Sequence, residues 1–194
     1  TFSWLLADNL SRTLGAETRQ RVRHDVGLVR AAVTSTIETA RSDAIDHANM
    51  LSRRIDQALG GPHKATPASI EALARHSRSG DVNPIESFLT DLRGAATIFV
   101  RTPDGFKRVM TTARNEQGGS AVGTLLAANH PALPELLAGR NYLGPARVFG
   151  HEYMTNYTPI VDAKGRVVGA TVIGIDLGEK LAGLKAQLRP ARIG

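Results

Sequence analysis

The sequence contains no cysteine. This absence excludes disulfide frameworks, thiolate metal sites and enzymes that depend on a thiol nucleophile. Long apolar runs are also missing, because the longest candidate, VVGATVIGI from Val167 to Ile175, is far shorter than the ~20 residues of a membrane-spanning helix. No basic leader followed by a small-residue cleavage pattern opens the chain. We therefore expect this chain to be a segment of a larger protein.

Signatures of the common enzyme classes are absent as well. The segment HEYMT begins like the helix of a zinc protease, but Thr155 stands where the second histidine is required and the segment has a strand pattern. GGSAVGT lacks the Gly-Lys-Ser/Thr of a phosphate loop, and no Gly-x-Ser-x-Gly elbow occurs. The histidines show no metal-ligand spacing; they are His24, His47, His63, His76, His130 and His151. The sequence thus predicts a protein that is not an enzyme, with no catalytic residue, metal site or cofactor.

Length and composition favour one globular domain. A chain of 194 residues can bury a single core, and its apolar share of 42% is ordinary for a folded protein. The net charge of +6 is most simply that of a basic, solvated surface. A nucleic acid or an anionic membrane surface remains an alternative partner for such a charge.

A helical periodicity dominates the first third of the chain. From Glu17 to Leu59, apolar and small residues recur three or four positions apart, which predicts one packed stripe along a long helix. The stripe contains Val22, Val26, Val29, Val33, Ile37, Ala40, Ala44, Leu51 and Ile55. Gly60-Gly61-Pro62 ends the pattern. A helix of about forty residues would be about 60 Å long, so its stripe must pack against the rest of the chain, against a second copy, or partly against each.

Shorter elements follow the long helix. Prolines in the first turn predict short helices that begin at Pro67 and Pro84. After Gly94, the runs ATIFVR and FKRVMTT flank a Pro-Asp-Gly turn, which predicts a β-hairpin. A short helix in HPALPELLAG, three strands in YLGPARVF, EYMTNYTPIV and RVVGATVIGIDL, and a closing helix in EKLAGLKAQLR complete the order. The last strand is apolar on both faces, which requires cover on both sides of an antiparallel sheet, and the predicted fold class is α+β.

The second half of the chain resembles a known family. The succession AVGTLL and HPALPELLAGRNYLGPARVFGHEYMTNYTPIVDAKGRVVGATVIGIDL, within Ala96 to Leu177, is similar to single Cache sensor domains of the Cache 3/Cache 2 fusion type. This resemblance implies a PAS-like antiparallel sheet with a long N-terminal helix and short helices covering it. It implies one extracytoplasmic domain over residues 1–194, with the long helix in 1–60, short helices in 61–95, the sheet core in 96–177 and a C-terminal helix in 178–194 directed toward a second membrane span.

The resemblance also implies a function. Such domains are the periplasmic, ligand-binding parts of inner-membrane receptors, so we expect a methyl-accepting chemotaxis protein whose membrane anchors lie outside this chain, dimeric through its long N-terminal helix and without a nucleic-acid partner. The sensor of a histidine kinase or a diguanylate cyclase is an alternative. A different class of function is a basic helical module that binds nucleic acid or a membrane surface, through Arg12, Arg19, Arg21, Arg23 and Arg30.

Family ligands are small metabolites, often short carboxylates, and a buried carboxylate requires charged donors. Arg108 is the first candidate anchor because a guanidinium can meet both carboxylate oxygens. Strict alternation along FKRVMTT places it on one face with Phe106, Met110 and Thr112. Alternatively, Arg108 reaches solvent from a strand edge or pairs with an acidic neighbour such as Asp176.

Two tyrosines are the next candidates. Alternation along EYMTNYTPIV places Tyr153, Thr155 and Tyr157 on one surface and Met154 on the other. Phenol rings can wall a cavity while their hydroxyls donate to a ligand, although each phenol can equally be a core residue bonded to backbone. The remaining candidates are Tyr142 and Phe149 as walls, Thr112, Arg147 on the parity of Phe149 as a second cation or a solvated edge residue, and His130 as a ligand contact or a helix cap.

Overall fold

The computed structural model describes residues 2–77 and 94–187. In chain order the elements are α1 (Phe2–Ala58), α2 (Pro67–Ser77), β1 (Gly94–Thr102), β2 (Gly105–Thr111), α3 (Ala132–Leu137), β3 (Tyr142–Val148), β4 (His151–Val161), β5 (Val167–Asp176) and α4 (Leu177–Gln187). The helix predicted from Pro84 lies outside the described residues. None of the described helices combines the length and apolarity needed to cross a bilayer.

The five strands form one antiparallel sheet in the order β2-β1-β5-β4-β3. The two predicted turns close their hairpins: Gly105 has a φ of 129° after Pro103-Asp104, and Gly165 has a φ of 74° after Asp162. Strand β5 lies at the centre and is buried along nearly its whole length. The predicted α+β fold with an antiparallel, PAS-like sheet is confirmed.

Helix α1 covers one face of the sheet with the C-terminal half of its stripe. Ala40, Ala44, Ala48, Leu51 and Ile55 are buried there in a core shared with β1, β4 and β5. The helix begins at Phe2, earlier than the predicted Glu17, and its 57 residues correspond to about 85 Å at ~1.5 Å per residue. The rest of the helix therefore extends past the sheet.

Toward the N-terminus, Val26 and Val29 of the stripe lack such cover from the described residues. Val26 and Val29 are 61% and 43% exposed, respectively. A domain as long as the helix would be needed to bury the whole stripe within one chain. The apolar periodicity of α1 therefore extends beyond the part that packs on the sheet, into a region where the described residues supply no packing partner.

Glycine ends α1. The N–H of Gly61 donates to the carbonyl of Asp56 at 2.7 Å, and the N–H of Gly60 donates to that of Gln57 at 3.2 Å. This pair of bonds, with Gly60 at a φ of 86°, is the Schellman ending, which satisfies the last carbonyls of a helix. The chain can then reverse and place α2 beside β1 and β2.

The opposite face of the sheet carries a second core. It is formed by Phe99, Phe106, Leu126, Ala132, Leu136, Tyr157, Ala170 and Val172. Helix α3 and the loop between β2 and α3 supply its cover, so the sheet is covered on both sides as predicted. Polar side chains that face this second core, Arg108 among them, form the candidate site.

Candidate ligand-binding site

A β-bulge in β2 decides which way Arg108 points. Phe99 pairs with Arg108, whereas the preceding Ile98 pairs with Met110, so Val109 is an extra residue on β2. Arg108 and Phe106 consequently face away from α1, while Met110 joins the core beneath α1. The prediction that Met110 shares the face of Arg108 is wrong, because a bulge interrupts the alternation of side chains.

Beyond the bulge, Thr111 takes the position on the Arg108 face that alternation had assigned to Thr112. The hydroxyl of Thr111 lies 2.7 Å from that of Thr97 on the adjacent strand. The hydroxyl of Thr112 accepts the backbone N–H of Ala96 at 2.9 Å, past the end of β2. Thr112 therefore lies at the rim of the site and not beside Arg108.

Arg108 is a buried cation with 6% of its surface exposed. Its Nη1 donates to the hydroxyl of Thr124 at 2.9 Å and to the carbonyl of Leu125 at 3.0 Å. Its Nε is buried and has no hydrogen-bond partner within the described structure. The rings of Phe99 and Phe149 lie 4.9 and 5.1 Å from the guanidinium carbon. Two aromatic faces and two neutral oxygens therefore surround this charge.

No carboxylate among the described residues forms an ion pair with Arg108. The alternative that it pairs with Asp176 is not realised, because Asp176 accepts the N–H of Glu179 at the start of α4. Burial lowers the pKa of Arg108, and the nearby Tyr157 offsets part of this effect. An arginine stays protonated at neutral pH even so, and a buried charge without a counter-ion is costly. The arrangement is therefore suited to an anion.

Tyr157 is almost completely buried, and its hydroxyl lies 3.1 Å from Nε2 of His130. The other imidazole nitrogen, Nδ1, accepts the backbone N–H of Ala132 at 3.1 Å. Nδ1 thus carries no hydrogen, and in the neutral ring the proton is on Nε2, which donates to the tyrosine oxygen. The O–H of Tyr157 is left free to donate elsewhere.

Burial shifts the titration of both residues toward their neutral forms. It raises the pKa of Tyr157. Burial, and then the positive charge of Arg108, lower the pKa of His130. At neutral pH both Tyr157 and His130 are uncharged. The group of this pair that is left free to form a hydrogen bond is the O–H of Tyr157, which is a donor.

The predicted alternation of β4 is confirmed. Tyr153, Thr155 and Tyr157 all line one cavity on the side away from α1, whereas Met154 is part of the core beneath α1. Thr155 donates its hydroxyl to the carbonyl of Gly144 at 2.8 Å. Tyr153 is half-buried at the mouth of that cavity. Of the two phenols, Tyr157 is the more deeply buried.

Two neighbouring cavities lie on this side of the sheet. The inner niche has a volume of about 20 Å³ and is lined by Thr97, Phe99, Arg108, Thr155, Tyr157 and Val172, among others. The outer cleft has a volume of about 450 Å³ and is lined by Thr112, Arg114, Asn115, Glu116, Phe149 and His151, among others. Ala95, Ala113, Val148 and Tyr153 border both. The outer cleft has the size of a small-molecule site.

The remaining predicted residues of β3 and its turn are Tyr142, Arg147 and Phe149, and they differ in where their side chains lie. Tyr142 packs edge-on against Tyr157 with ring centroids 6.0 Å apart, but its hydroxyl donates to the carbonyl of Pro145 and it lines neither cavity. Arg147 is exposed, and its Nε lies 3.9 Å from the carboxylate of Glu152, its cross-strand partner. The prediction that Arg147 and Phe149 share a side is wrong, because Phe149 has a φ of 47° and leaves the strand alternation.

Sequence reasoning missed Phe99, Thr124 and Leu125, which contact Arg108. Thr124 and Leu125 belong to the loop between β2 and α3, and no local pattern reveals where such a loop folds back. Phe99 had a usable signal, since it occupies the middle of the strand opposite Arg108 in the predicted hairpin. Among the described residues, no three His, Asp or Glu side chains cluster closely enough to hold a metal ion.

Comparison with protein families identifies this architecture. The model of the Cache 3/Cache 2 fusion domain matches residues 8–194. The chain belongs to this family. Membership in the Cache family, predicted above from the succession of motifs in the sheet, is thereby confirmed.

Solved sensor domains are similar to this Cache 3/Cache 2 fusion domain at low identity. The DcuS sensor domain of Escherichia coli is 20% identical with a TM-score of 0.47, over 78% of this chain and 98% of that one. The sensor domain of the histidine kinase DctB of Vibrio cholerae is 16% identical with a TM-score of 0.43, over 81% and 59%. The periplasmic sensory domain of the chemoreceptor Tlp1 of Campylobacter jejuni is 16% identical with a TM-score of 0.39, over 82% and 67%. Comparison with curated protein sequences gave no significant match.

Proposed function

We propose that this Cache 3/Cache 2 fusion domain is the extracytoplasmic ligand-binding sensor of a bacterial transmembrane receptor, of the methyl-accepting chemotaxis type, and that its ligand is a small organic acid. The observation that carries the proposal is Arg108. Its guanidinium is buried, lacks a carboxylate partner among the described residues and has an unpartnered Nε, and Arg108 lines the inner niche. Membership in the family supports the sensor role.

The donors that surround the niche support the anionic ligand. Arg108 offers Nε, and Tyr157 offers its O–H because His130 already donates to its oxygen. Arg108 and Tyr157 both line the inner niche, and donors in a site of low polarity stabilise a carboxylate by charge-assisted hydrogen bonds. Among the described residues, the lining of the inner niche includes no carboxylate, so an amine or another cation there would meet the charge of Arg108 uncompensated, and we expect it to be rejected from the niche.

The proposed output runs through the end of β5. Tyr153, which borders both cavities, pairs with Asp176 across the β4–β5 ladder, and Asp176 caps the first turn of α4. Lys180 of α4 forms an ion pair of 2.9 Å with Asp43 of α1. A ligand that binds better when Tyr153 is in one position would therefore shift the position of α4 relative to α1. It would do so because its affinity differs between the two arrangements.

The whole of residues 1–194 forms one sensor domain in this proposal. Residues 1–60 supply the long helix and the dimer contact, 61–95 the short helices, 96–177 the sheet and its site, and 178–194 the helix toward the second membrane span. The sensor of a histidine kinase or of a diguanylate cyclase would use the same site, because the output module does not enter the chemistry of the niche.

A thermal-shift screen tests the ligand class. Acetate, lactate, pyruvate, malonate, succinate and malate are compared with small amines and nucleobases on the wild type and on Arg108→Gln. An acid at about a hundred times its Kd stabilises the fold by about 2.7 kcal/mol, or about 5–10 °C in Tm for a domain of this size.

The matched control for this screen is Arg147→Gln, since Arg147 is an exposed arginine outside the niche. We expect the shift by an acid to disappear in Arg108→Gln and to persist in the control. An acid whose shift is undiminished in Arg108→Gln would show that the anchor is misassigned. A basic nucleic-acid module would instead give a DNA-dependent shift that decreases steeply with salt.

A further inference from the structure

Phe149 adopts a backbone conformation that a bulky residue rarely takes. Its φ is 47°, and it is followed by Gly150 at 85°. The two residues form the loop of the β3–β4 hairpin, whose flanking pair is Val148 and His151. Two positive φ values in a two-residue loop are those of a type I′ turn, which favours Asn-Gly. Phenylalanine at the first position is strained, and such strain persists only where the surroundings compensate it.

The compensating contact is with Arg108. The ring of Phe149 lies 5.1 Å from the guanidinium carbon, and the ring of Phe99 lies 4.9 Å from it. A cation over an aromatic face is attracted by the ring quadrupole. In the absence of an acid, the two rings thus contribute to the stabilisation of this buried charge, together with the hydroxyl of Thr124 and the carbonyl of Leu125.

Phe149 and Arg108 line different cavities. Phe149 lines the outer cleft and not the inner niche, whereas Arg108 lines the inner niche and not the outer cleft. A volume of about 20 Å³ has room for about one water molecule and is too small for an organic acid. The outer cleft, at about 450 Å³, has enough room. The ring of Phe149 lies against the guanidinium and lines the outer cleft, so displacement of this ring would expose Arg108 to an acid in that cleft.

We infer that Phe149 is a movable aromatic lid, which covers Arg108 in the unliganded domain and is displaced by the carboxylate that binds there. This inference rests on the proposed function and adds the way in which access to the site is regulated. The backbone strain at Phe149 favours displacement of its ring, whereas the contact of the ring with Arg108 favours the position that covers the guanidinium. The carboxylate replaces the ring as the partner of the guanidinium.

Chemical modification of Arg108 tests the lid without any ligand. The 194-residue chain is treated with 2,3-butanedione in borate, which modifies accessible guanidinium groups, and the rate at each arginine is followed by peptide mass spectrometry. Phe149→Asn removes the ring and gives the turn its preferred Asn-Gly sequence, so the hairpin is retained. Arg147 and Arg166, both exposed, are internal references. Tyr142→Phe is the control variant, since it changes an aromatic side chain on the same side of the sheet without uncovering Arg108.

We expect Arg108 of the wild type to react slowly but measurably, and several-fold faster in Phe149→Asn, with the reference arginines unchanged. Equal rates at Arg108 in the wild type and Phe149→Asn would overturn the inference, because the ring would then cover nothing. An Arg108 that reacts in Phe149→Asn but never in the wild type would also overturn it, because the ring would be a fixed wall.

Phe149→Gly provides a second variant if circular dichroism shows that Phe149→Asn is unfolded, since glycine also adopts a positive φ without strain. The same two outcomes at Arg108 decide the inference in this variant. No organic acid is present in the experiment, so a failure of the proposed ligand class in the thermal-shift screen does not affect its reading.

Discussion

Nε2 of His130 lies 3.1 Å from the hydroxyl of Tyr157, a residue 27 positions away in the sequence. Because Nδ1 of the same imidazole accepts the N–H of Ala132, the imidazole donates to the phenol and the phenol hydrogen is free. His130 thus orients the O–H of Tyr157, and His130 itself does not line the outer cleft. Together with Arg108, the His130–Tyr157 pair offers hydrogen-bond donors to a ligand at the interior end of the site.

Replacement of Tyr157 by phenylalanine removes the free donor and keeps the ring. If the O–H bonds to a carboxylate, we expect Tyr157→Phe to weaken binding of the best acid by about 1.5–3 kcal/mol, roughly ten- to a hundredfold in Kd. Isothermal titration calorimetry with that acid measures the loss. Tyr142→Phe is the matched control, because the hydroxyl of Tyr142 donates to the carbonyl of Pro145. Equal losses in the two variants would contradict the assignment.

The neutral state of His130 predicts a pH dependence of stability. Its pKa is lower in the folded protein than in the unfolded chain, so between the two values the unfolded state binds more protons. Stability is therefore fully present above the unfolded pKa of about 6.5 and decreases as the pH falls through the folded value. Urea denaturation of the wild type between pH 7.5 and 5 should show this loss.

His130→Asn isolates this titration from that of the other histidines. An asparagine oxygen can accept the N–H of Ala132 in place of Nδ1, and it does not titrate. We expect the difference in unfolding free energy between the wild type and this variant to shrink as the pH falls. A difference that stays constant from pH 7.5 to pH 5 would show that His130 does not contribute in this way.

The parts of the site that follow simple periodicity were predictable from the sequence. Tyr153, Thr155 and Tyr157 share a face because β4 is a regular strand, and alternation needs no tertiary information. The sheet, its turns and α3 likewise follow from local apolar patterns and from glycine and proline positions. Arg108 was found because a cation in an otherwise apolar strand needs a partner wherever the strand lies.

The errors arose where the backbone leaves regular geometry. The extra residue Val109 moves Met110 to the other face, and the left-handed Phe149 carries its ring to Arg108 while Arg147 stays in solvent. Neither a bulge nor a strained turn has a signature in FKRVMTT or RVFGHE, because both are stabilised by contacts with distant residues. The contact between His130 and Tyr157 was not predictable for the same reason, because it joins residues that are far apart in the sequence.

The core beneath α1 predicts a large effect of Leu51. This side chain is fully buried against the sheet, so Leu51→Ala removes apolar contacts and leaves a cavity. We expect a loss of about 2–5 kcal/mol in unfolding free energy, measured by urea denaturation. Met50→Ala is the control, since Met50 is exposed on the adjacent position of the same helix, and its loss should stay below about 1 kcal/mol. Similar losses would mean that α1 does not pack on the sheet through this stripe.

The uncovered part of α1 predicts how two copies associate. Val26 and Val29 continue the stripe that packs on the sheet further along the helix, yet they are 61% and 43% exposed. A stripe of this kind on a helix that extends past its own domain is stabilised when it packs against the same stripe of a second copy. In the double variant Val26→Glu/Val29→Glu, carboxylates would meet across that contact, and we expect the dimer to dissociate.

Light scattering coupled to size-exclusion chromatography measures the mass of each variant. Leu28→Glu is the matched control, because Leu28 is apolar and 55% exposed but lies on another side of the helix, about 130° from the centre of the stripe at ~100° per residue. We expect the wild type and Leu28→Glu to be dimeric and the double variant to be monomeric. If Leu28→Glu dissociates the dimer as completely as the double variant, the copies do not meet along this stripe. If the wild type is itself monomeric at high concentration, the valines have another partner and the dimer contact assigned to residues 1–60 is wrong.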